Sequence, residues 1–418
     1  KTISRTIVVD GSLTLIGAGP VSISSGGQLV NNGTVDIQNS NSFGSADGSI
    51  TNNGNFIRSL STGTATIGAP FTNNGTITVL TGTLLINNIT GSGSFNISSG
   101  AKFRINSGTS TLGGSSITGE GVFEVVGGTL NFTGNDVVVS NTTTFRQAGG
   151  TIGGSGNLVI NGFFNFETGT QSGTGTTTIA SGATLDFLST LTKTISRTIV
   201  VDGLLEVQGS GAVSFSTGAQ VINNGTIDFQ TNVNFGNING TIVNNGTLLN
   251  SAASGGGILS GPFTNNGTVN VQNGELSSSG GISGSGSFVI AEGRKFRITA
   301  GTSTIGGNNI SGSGTFELIT GTINLSGSAI TVASGTTFLQ GSGTIGGDGS
   351  LMINGTFNWV AGTQSGTGTT TIASGATLDF LSSSPKTISR TIVVDDGLLR
   401  VIGAGPVSIS SGGQLVNN

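Results

Sequence analysis

Short alternating segments run the length of the chain, each bounded by glycine, asparagine or serine. In Val35-Asp36-Ile37 and Ile77-Thr78-Val79 apolar and polar residues exchange at every step, the pattern of a strand with one buried face. Glycine and β-branched residues fill nearly every window and no stretch carries apolar residues at 3.6-residue spacing, so strand is expected over helix. The inward set predicted from this alternation includes Phe95, Ile97, Phe103, Ile105, Phe123, Val125, Leu130 and Phe132.

Two periods organise these segments. The long one returns KTISRTIVVDG of Lys1 to Gly11 at Lys193 to Gly203, and its first ten residues again from Lys386. It divides the chain into copies at 1–192 and 193–385 and the start of a third at 386–418, and the chain reads as a window on a longer array. The short period is carried by an Asn-Asn-Gly triplet. It occurs at Asn31-Asn32-Gly33, Asn52-Asn53-Gly54 and Asn73-Asn74-Gly75, then at Asn223-Asn224-Gly225, Asn244-Asn245-Gly246 and Asn265-Asn266-Gly267, with a step of 21 inside each copy. Asn-Gly between alternating segments is also a hairpin signal. A meander of hairpins needs no fixed step, whereas a solenoid needs each corner one full turn after the last.

The expected fold is therefore all-β, a right-handed parallel β-helix with coils of about 21 residues, continuous through the tandem copies, the handedness coming from the resemblance described below. Stacked at about 4.8 Å, some 20 coils give a rod of about 95 Å. At the corners Asn tolerates φ > 0 and Gly adopts it freely, and the Asn amides either stack into a ladder between coils or merely suit the turn. In Ile3-Ser4-Arg5-Thr6-Ile7 strict alternation points Arg5 inward, where an unpaired charge is prohibitive, so a bend is expected near Ser4 or Arg5. Strand material on both sides of 190–193 and 382–386 predicts coils stacked without interruption through both joints, despite Pro385.

Composition narrows the chemistry. Among 418 residues there is no cysteine, histidine or tyrosine, and there are 76 glycines. Charge is sparse and balanced, 14 basic against 18 acidic residues, too little to attract nucleic acid. No apolar run reaches membrane-spanning length, so this segment is expected not to insert, and Lys1 opens a repeat instead of an export signal.

The carboxylates are the candidates for catalytic pairs, because parallel β-helices can carry polysaccharide lyases and hydrolases. Glu120 and Glu124 share parity on one strand, but the second copy keeps only Glu317 and has Ser313 in the other place. Glu167 becomes Val360 and Asp136 becomes Ala329. The acids that recur, Asp10 with Asp202 and Asp395, Asp36 with Asp228, and Asp186 with Asp379, read as single outward or corner residues. Gly346-Gly347-Asp348-Gly349 approaches a calcium nonapeptide, but the first copy has Ser155 there. Lys102 with Arg104, and Arg294 with Lys295 and Arg297, read as the outer face of a strand. Asn-x-Thr matches such as Asn32-Gly33-Thr34 coincide with the turn motif. The segments after the six triplets match the Thr-x-Thr of an ice-binding array only at Thr76-Ile77-Thr78. The reading is thus no enzyme, no cofactor, no metal site and no catalytic residue.

Gly127-Gly128-Thr129-Leu130-Asn131-Phe132-Thr133-Gly134-Asn135 and the phrase from Gly175 to Leu185 resemble the strand repeats of autotransporter passengers and filamentous-haemagglutinin-like adhesins. The similarity extends to the giant surface-fibre and adhesin repeat proteins of Gram-negative bacteria, including Bacteroidota, and covers the whole chain. It implies a right-handed parallel β-helix exported to the cell surface, and it carries no catalytic residue. The expectation is a stiff structural repeat of an extracellular filament or adhesin stalk. Its partners are further copies of itself in the same chain, with a homo-oligomeric fibre beside them. Glycan binding at the cell surface is the alternative, and a β-helix lyase or hydrolase a weaker one.

Overall fold

The structure is a computed structural model that describes residues 1–24 and 26–418. Among the described residues the secondary structure is strand alone, in segments of two to four residues from Thr2–Ile3 to Gln414–Asn417. Beyond a separate pair at the start, Thr2–Ile3 with Ser22–Ile23, strands pair with the third one along the chain, in parallel. Three strands thus make one turn and three sheets run along each stack: a β-solenoid, in place of the hairpin meander.

Two compact units are present, Lys1–Leu205 and Glu206–Asn418, each built in this way. In the first, Gln28–Asn31 lies on Ser49–Asn52, which lies on Phe71–Asn73, each residue opposite its counterpart 21 positions on. In the second, Gln220–Asn223, Thr241–Asn244 and Phe263–Asn265 repeat the arrangement. The coil is not rigidly 21 residues: Phe71 faces Ile89, 18 residues on, while Gly169 faces Lys193, 24 on. Strand register is kept while the loops at the corners absorb the difference.

Alternation produces the core. In Thr34–Ile37 and Thr76–Val79 the second and fourth residues are buried and the others half-exposed. All eight inward residues read from the sequence have no exposed surface. Since each inward position stacks on its equivalent one coil away, phenylalanines form columns. In the first unit Phe103, Phe123 and Phe145 stack nearly parallel, 4.9 and 5.4 Å between centroids, and Phe164 closes edge-on at 5.3 Å. In the second, Phe296, Phe316, Phe338 and Phe357 do the same, and Trp359, two residues on in the same strand, stacks beside Phe357 while its indole N–H donates to Ala361 O at 2.9 Å.

Both sequence joints lie inside a unit, and pairing runs through each. Gly169–Gln171 receives Lys193–Ile195, and Thr176–Ile179 receives Thr198–Val201. In the second unit Gly362–Gln364 receives Lys386–Ile388, with Pro385 confined to the loop before it. Ser189 and Ser382, at φ 70° and 65°, turn those loops.

The triplet glycines have a different role from the one expected. Neither they nor the triplet asparagines adopt positive φ. A Cβ on Gly54 would lie 2.1 Å from Gly33 O, and one on Gly75 2.1 Å from Gly54 O. Glycine is required because neighbouring coils touch backbone to backbone at this corner, not because the chain turns left-handed there.

Candidate functional site

The six Asn-Asn-Gly corners place one amide inward and one outward. Asn31, Asn52 and Asn73 are fully buried, whereas Asn32, Asn53 and Asn74 are exposed. Inside, Asn31 Nδ2 donates to Asn52 Oδ1 at 2.7 Å and Asn52 Nδ2 to Asn73 Oδ1 at 2.8 Å. The same Nδ2 groups also donate to main-chain carbonyls of the next coil, Asn55 O at 3.0 Å and Thr76 O at 3.1 Å. Outside, the direction reverses: Asn74 Nδ2 donates back to Asn53 Oδ1 and Asn53 Nδ2 back to Asn32 Oδ1, both at 3.0 Å, and Asn32 Nδ2 reaches Asp10 at 2.8 Å. The second unit carries the same inner ladder, Asn223 to Asn244 at 2.7 Å and Asn244 to Asn265 at 2.8 Å. Its outer ladder runs from Asn266 to Asn245 at 3.0 Å and from Asn245 to Asn224 at 2.9 Å. Between Gly33, Gly54 and Gly75, and again between Gly246 and Gly267, the close backbone approach keeps the amides of adjacent coils within bonding distance.

The carboxylates fall elsewhere. Glu124 does not pair with Glu120, which is exposed. Its side chain is fully covered, held by Arg104 Nε at 2.6 Å and by Arg146. Burial works to raise the Glu124 pKa, but the hydrogen bonds and charges of the two arginines outweigh it and hold the group below the usual carboxylate range. Arg146 also grips Glu167 through Nε and Nη2 at 2.7 and 2.8 Å, and that hydrogen bonding raises its own pKa. The column explains a difference between copies: where Glu167 gives way to Val360, its partner Arg146 gives way to Leu339, so neither unit carries half of this pair. The second unit keeps Arg297 between Glu317, at 2.8 Å, and Glu275. Glu124, locked between two guanidinium groups and held below the usual carboxylate range, is an ionised partner of both.

Cations inside the coil were missed. The strand does break at Ser196 and Arg197, but Arg197 still turns inward and is 2 % exposed. Its Nε donates to Gly175 O at 2.8 Å and its Nη2 to Gly156 O at 3.0 Å, joining three successive coils. Arg390 does the same with Gly368 O at 2.9 Å and Gly349 O at 2.8 Å. Loss of hydration lowers both pKa values to about 10. Alternation gave the right direction, and the objection that a charge cannot sit there failed because carbonyls at glycine corners lie within reach of a long side chain. Lys193 is also buried, its Nζ on Leu191 O at 3.1 Å, and desolvation lowers its pKa to about 8 against a smaller opposing pull from Glu167. Arg58 is a further buried cation, capped by Ile37 O, Ser59 O, Ser61 O and Gly63 O at 2.9 to 3.1 Å. A hidden amide relay completes the interior: Gln171 donates to Gln147 at 2.6 Å and accepts from Thr177 at 3.0 Å, repeated by Gln364, Gln340 and Thr370.

Among the described residues no group of three or more aspartate or glutamate side chains is gathered as a metal site would need. What the arrangement does chemically is to cross-link coils by amide ladders, charge columns and inward cations. No family model, no curated protein and no solved structure matches the chain.

Proposed function

We propose that the chain is a structural repeat of an extracellular filament or adhesin stalk, a stiff element that bears load along the stacking direction and carries no catalytic site. The observation that supports it most is the unbroken strand pairing through the joints at Lys193 and Lys386. Hydrogen bonds of the sheets run along the stack, and the inner ladders and Arg197 and Arg390 add side-chain links in the same direction. Load is then shared by many parallel bonds at each coil interface, and no flexible linker is interposed at a joint. The extracellular, cell-surface setting comes from the resemblance of the strand repeats.

Single-molecule stretching tests the load-bearing part, with cysteines added at both ends of a chain that has none of its own. Stepwise peaks of coil release support the proposal, and smooth extension with no resolvable peak overturns it. A second reading, a glycan-binding surface, is favoured by a shallow groove of about 610 Å³ on the first unit, lined by Asn74, Thr90, Ser92, Thr111, Thr133 and Asn135. Hydroxyl and amide groups of this kind fit a neutral sugar chain. A glycan array separates the two: binding above background that is lost in Thr90→Val and Thr111→Val supports the second reading, while an empty array leaves the structural one.

A further inference from the structure

The long period and the coil do not divide evenly, and the remainder has a consequence for what the surface shows. Thr6–Val9 is the second strand in chain order and its copy-2 equivalent Thr198–Val201 is the thirtieth, 28 strands on. With three strands per turn, 28 strands make nine turns and one strand over. Every feature that occurs once per copy is therefore displaced to the neighbouring sheet.

The first unit shows the step on its own. Thr6–Val9 begins a ladder that passes through Gln28–Asn31, Ser49–Asn52, Phe71–Asn73 and onward to Gly169–Gln171 and Lys193–Ile195. Thr198–Val201 is not in it. That strand lies on Thr176–Ile179, in the ladder that began with Ser12–Leu15 and passed through Thr34–Ile37 and Asn55–Arg58. The second unit repeats the step in the same sense. Gln220–Asn223 heads one ladder, and its copy-3 equivalent Gln414–Asn417 lies at the end of the ladder headed by the following strand, Thr226–Phe229.

We infer that the long repeat is a rotational device: each copy hands its surface features to the next of three faces, and the same face recurs only after three copies. The outward face of Thr6–Val9, which recurs at Thr198–Val201, is one such feature, and that of Gln220–Asn223, which recurs at Gln414–Asn417, is another. Such a surface fits a macromolecular partner that engages one copy at a time and from any side. It does not fit a flat lattice laid along one face, which would meet matching side chains only at every third copy. This inference holds whether or not the chain bears load.

Cross-linking of cysteine pairs in the full, otherwise cysteine-free chain tests it. Val8, Val200 and Val393 are equivalent positions. Val8 faces Val30, so V8C/V30C is the reference pair for a stacked, outward contact. The one-sheet step puts Val200 opposite Thr178 and Val393 opposite Thr371. Without the step Val200 would instead continue the Val8 column, next to Ser172, and Val393 the column that runs through Ile222, next to Ser365. A short thiol-specific bridging reagent should join T178C/V200C and T371C/V393C as readily as the reference pair, and leave S172C/V200C and S365C/V393C free. Bridging of either serine-site pair, or of no pair but the reference, overturns the inference.

Discussion

Replacing Asn52 by alanine isolates the inner ladder. Its side chain makes three hydrogen bonds in a fully buried position: it accepts from Asn31 at 2.7 Å and donates to Asn73 at 2.8 Å and to Thr76 O at 3.1 Å. Truncation leaves Asn73 Oδ1 buried without that donor, and leaves Asn31 Nδ2 with only Asn55 O at 3.0 Å. Each of the three bonds contributes roughly 1 kcal/mol net, and stranding a buried polar atom costs about 1–3 kcal/mol more, so a loss of about 4–6 kcal/mol is expected at this corner. Asn53→Ala removes one donor and one acceptor of the outer ladder, but both lie in water, and the loss should stay below about 1 kcal/mol. A repeat array opens locally, so hydrogen exchange is the assay, read on peptides covering residues 49–79 against those of the second unit. At about 1.4 kcal/mol per factor of ten, Asn52→Ala should speed exchange there by about a hundredfold or more, and Asn53→Ala by less than about tenfold. Equal effects of the two substitutions would show that turn preference alone accounts for the triplet.

Four further outcomes are expected. Gly54→Ala should destabilise its corner strongly, because the new Cβ meets Gly33 O at 2.1 Å, whereas Gly17→Ala, with nothing within 4 Å and no positive φ, should change exchange little. Phe123→Ala, which empties the middle of the Phe103, Phe123 and Phe145 stack, should cost about 3–5 kcal/mol in the first unit, by exchange or urea titration. Glu124 has its pKa depressed in the fold, so its contribution is present above the unfolded carboxylate value and is lost as pH falls through the folded one; Glu124→Gln should flatten the acid limb of the first unit's stability profile. Lys193 is also depressed, to about 8, and since it is a base the unfolded chain holds more protons between about pH 8 and 10.4: stability of the 193 joint should rise across that window, and Lys193→Met should abolish the rise.

The strands and the core were legible because a period-2 pattern leaves little choice. Once the 21-residue step of the triplets excludes hairpins, Val35 and Ile37 can only face inward, and they do. The interior polar groups were hidden for the opposite reason. Alternation assigns a direction to a side chain but says nothing of what waits at the end of it. Arg197 looks prohibitive inside until Gly156 O and Gly175 O, 41 and 22 residues earlier, are seen to lie at its tip. Gln147 and Gln171 likewise satisfy each other from adjacent coils, 24 residues apart, a distance at which neither signals the other in sequence. The triplet glycine was recognised as a corner, but its cause lies in the approach of one coil's backbone to the next, which no local sequence rule contains.

This division also explains how two copies can differ while the coil stays the same. Register is maintained by main-chain bonds that any alternating segment can make, so outward residues are free to vary: Arg146 and Glu167 give way together to Leu339 and Val360, and Glu275 joins Arg297 where the first copy has Thr83 beside the equivalent Arg104. Inward polar residues are not free, since each is satisfied by a particular carbonyl or amide one or two coils away. Arg58 makes the point from the other side. Its place in the second copy is taken by Asn250, also fully buried, which bonds Asn273 O at 2.5 Å and reaches Gly255 O, the counterpart of Gly63 O, only at 3.5 Å. The shorter side chain is accommodated because the loop after it is rebuilt, with Gly255 and Gly256 at positive φ where the first copy turns on Leu60. An inward polar side chain and its corner loop therefore change as one unit, and the strands on either side, Asn55–Arg58 and Thr247–Asn250, keep their place in the stack.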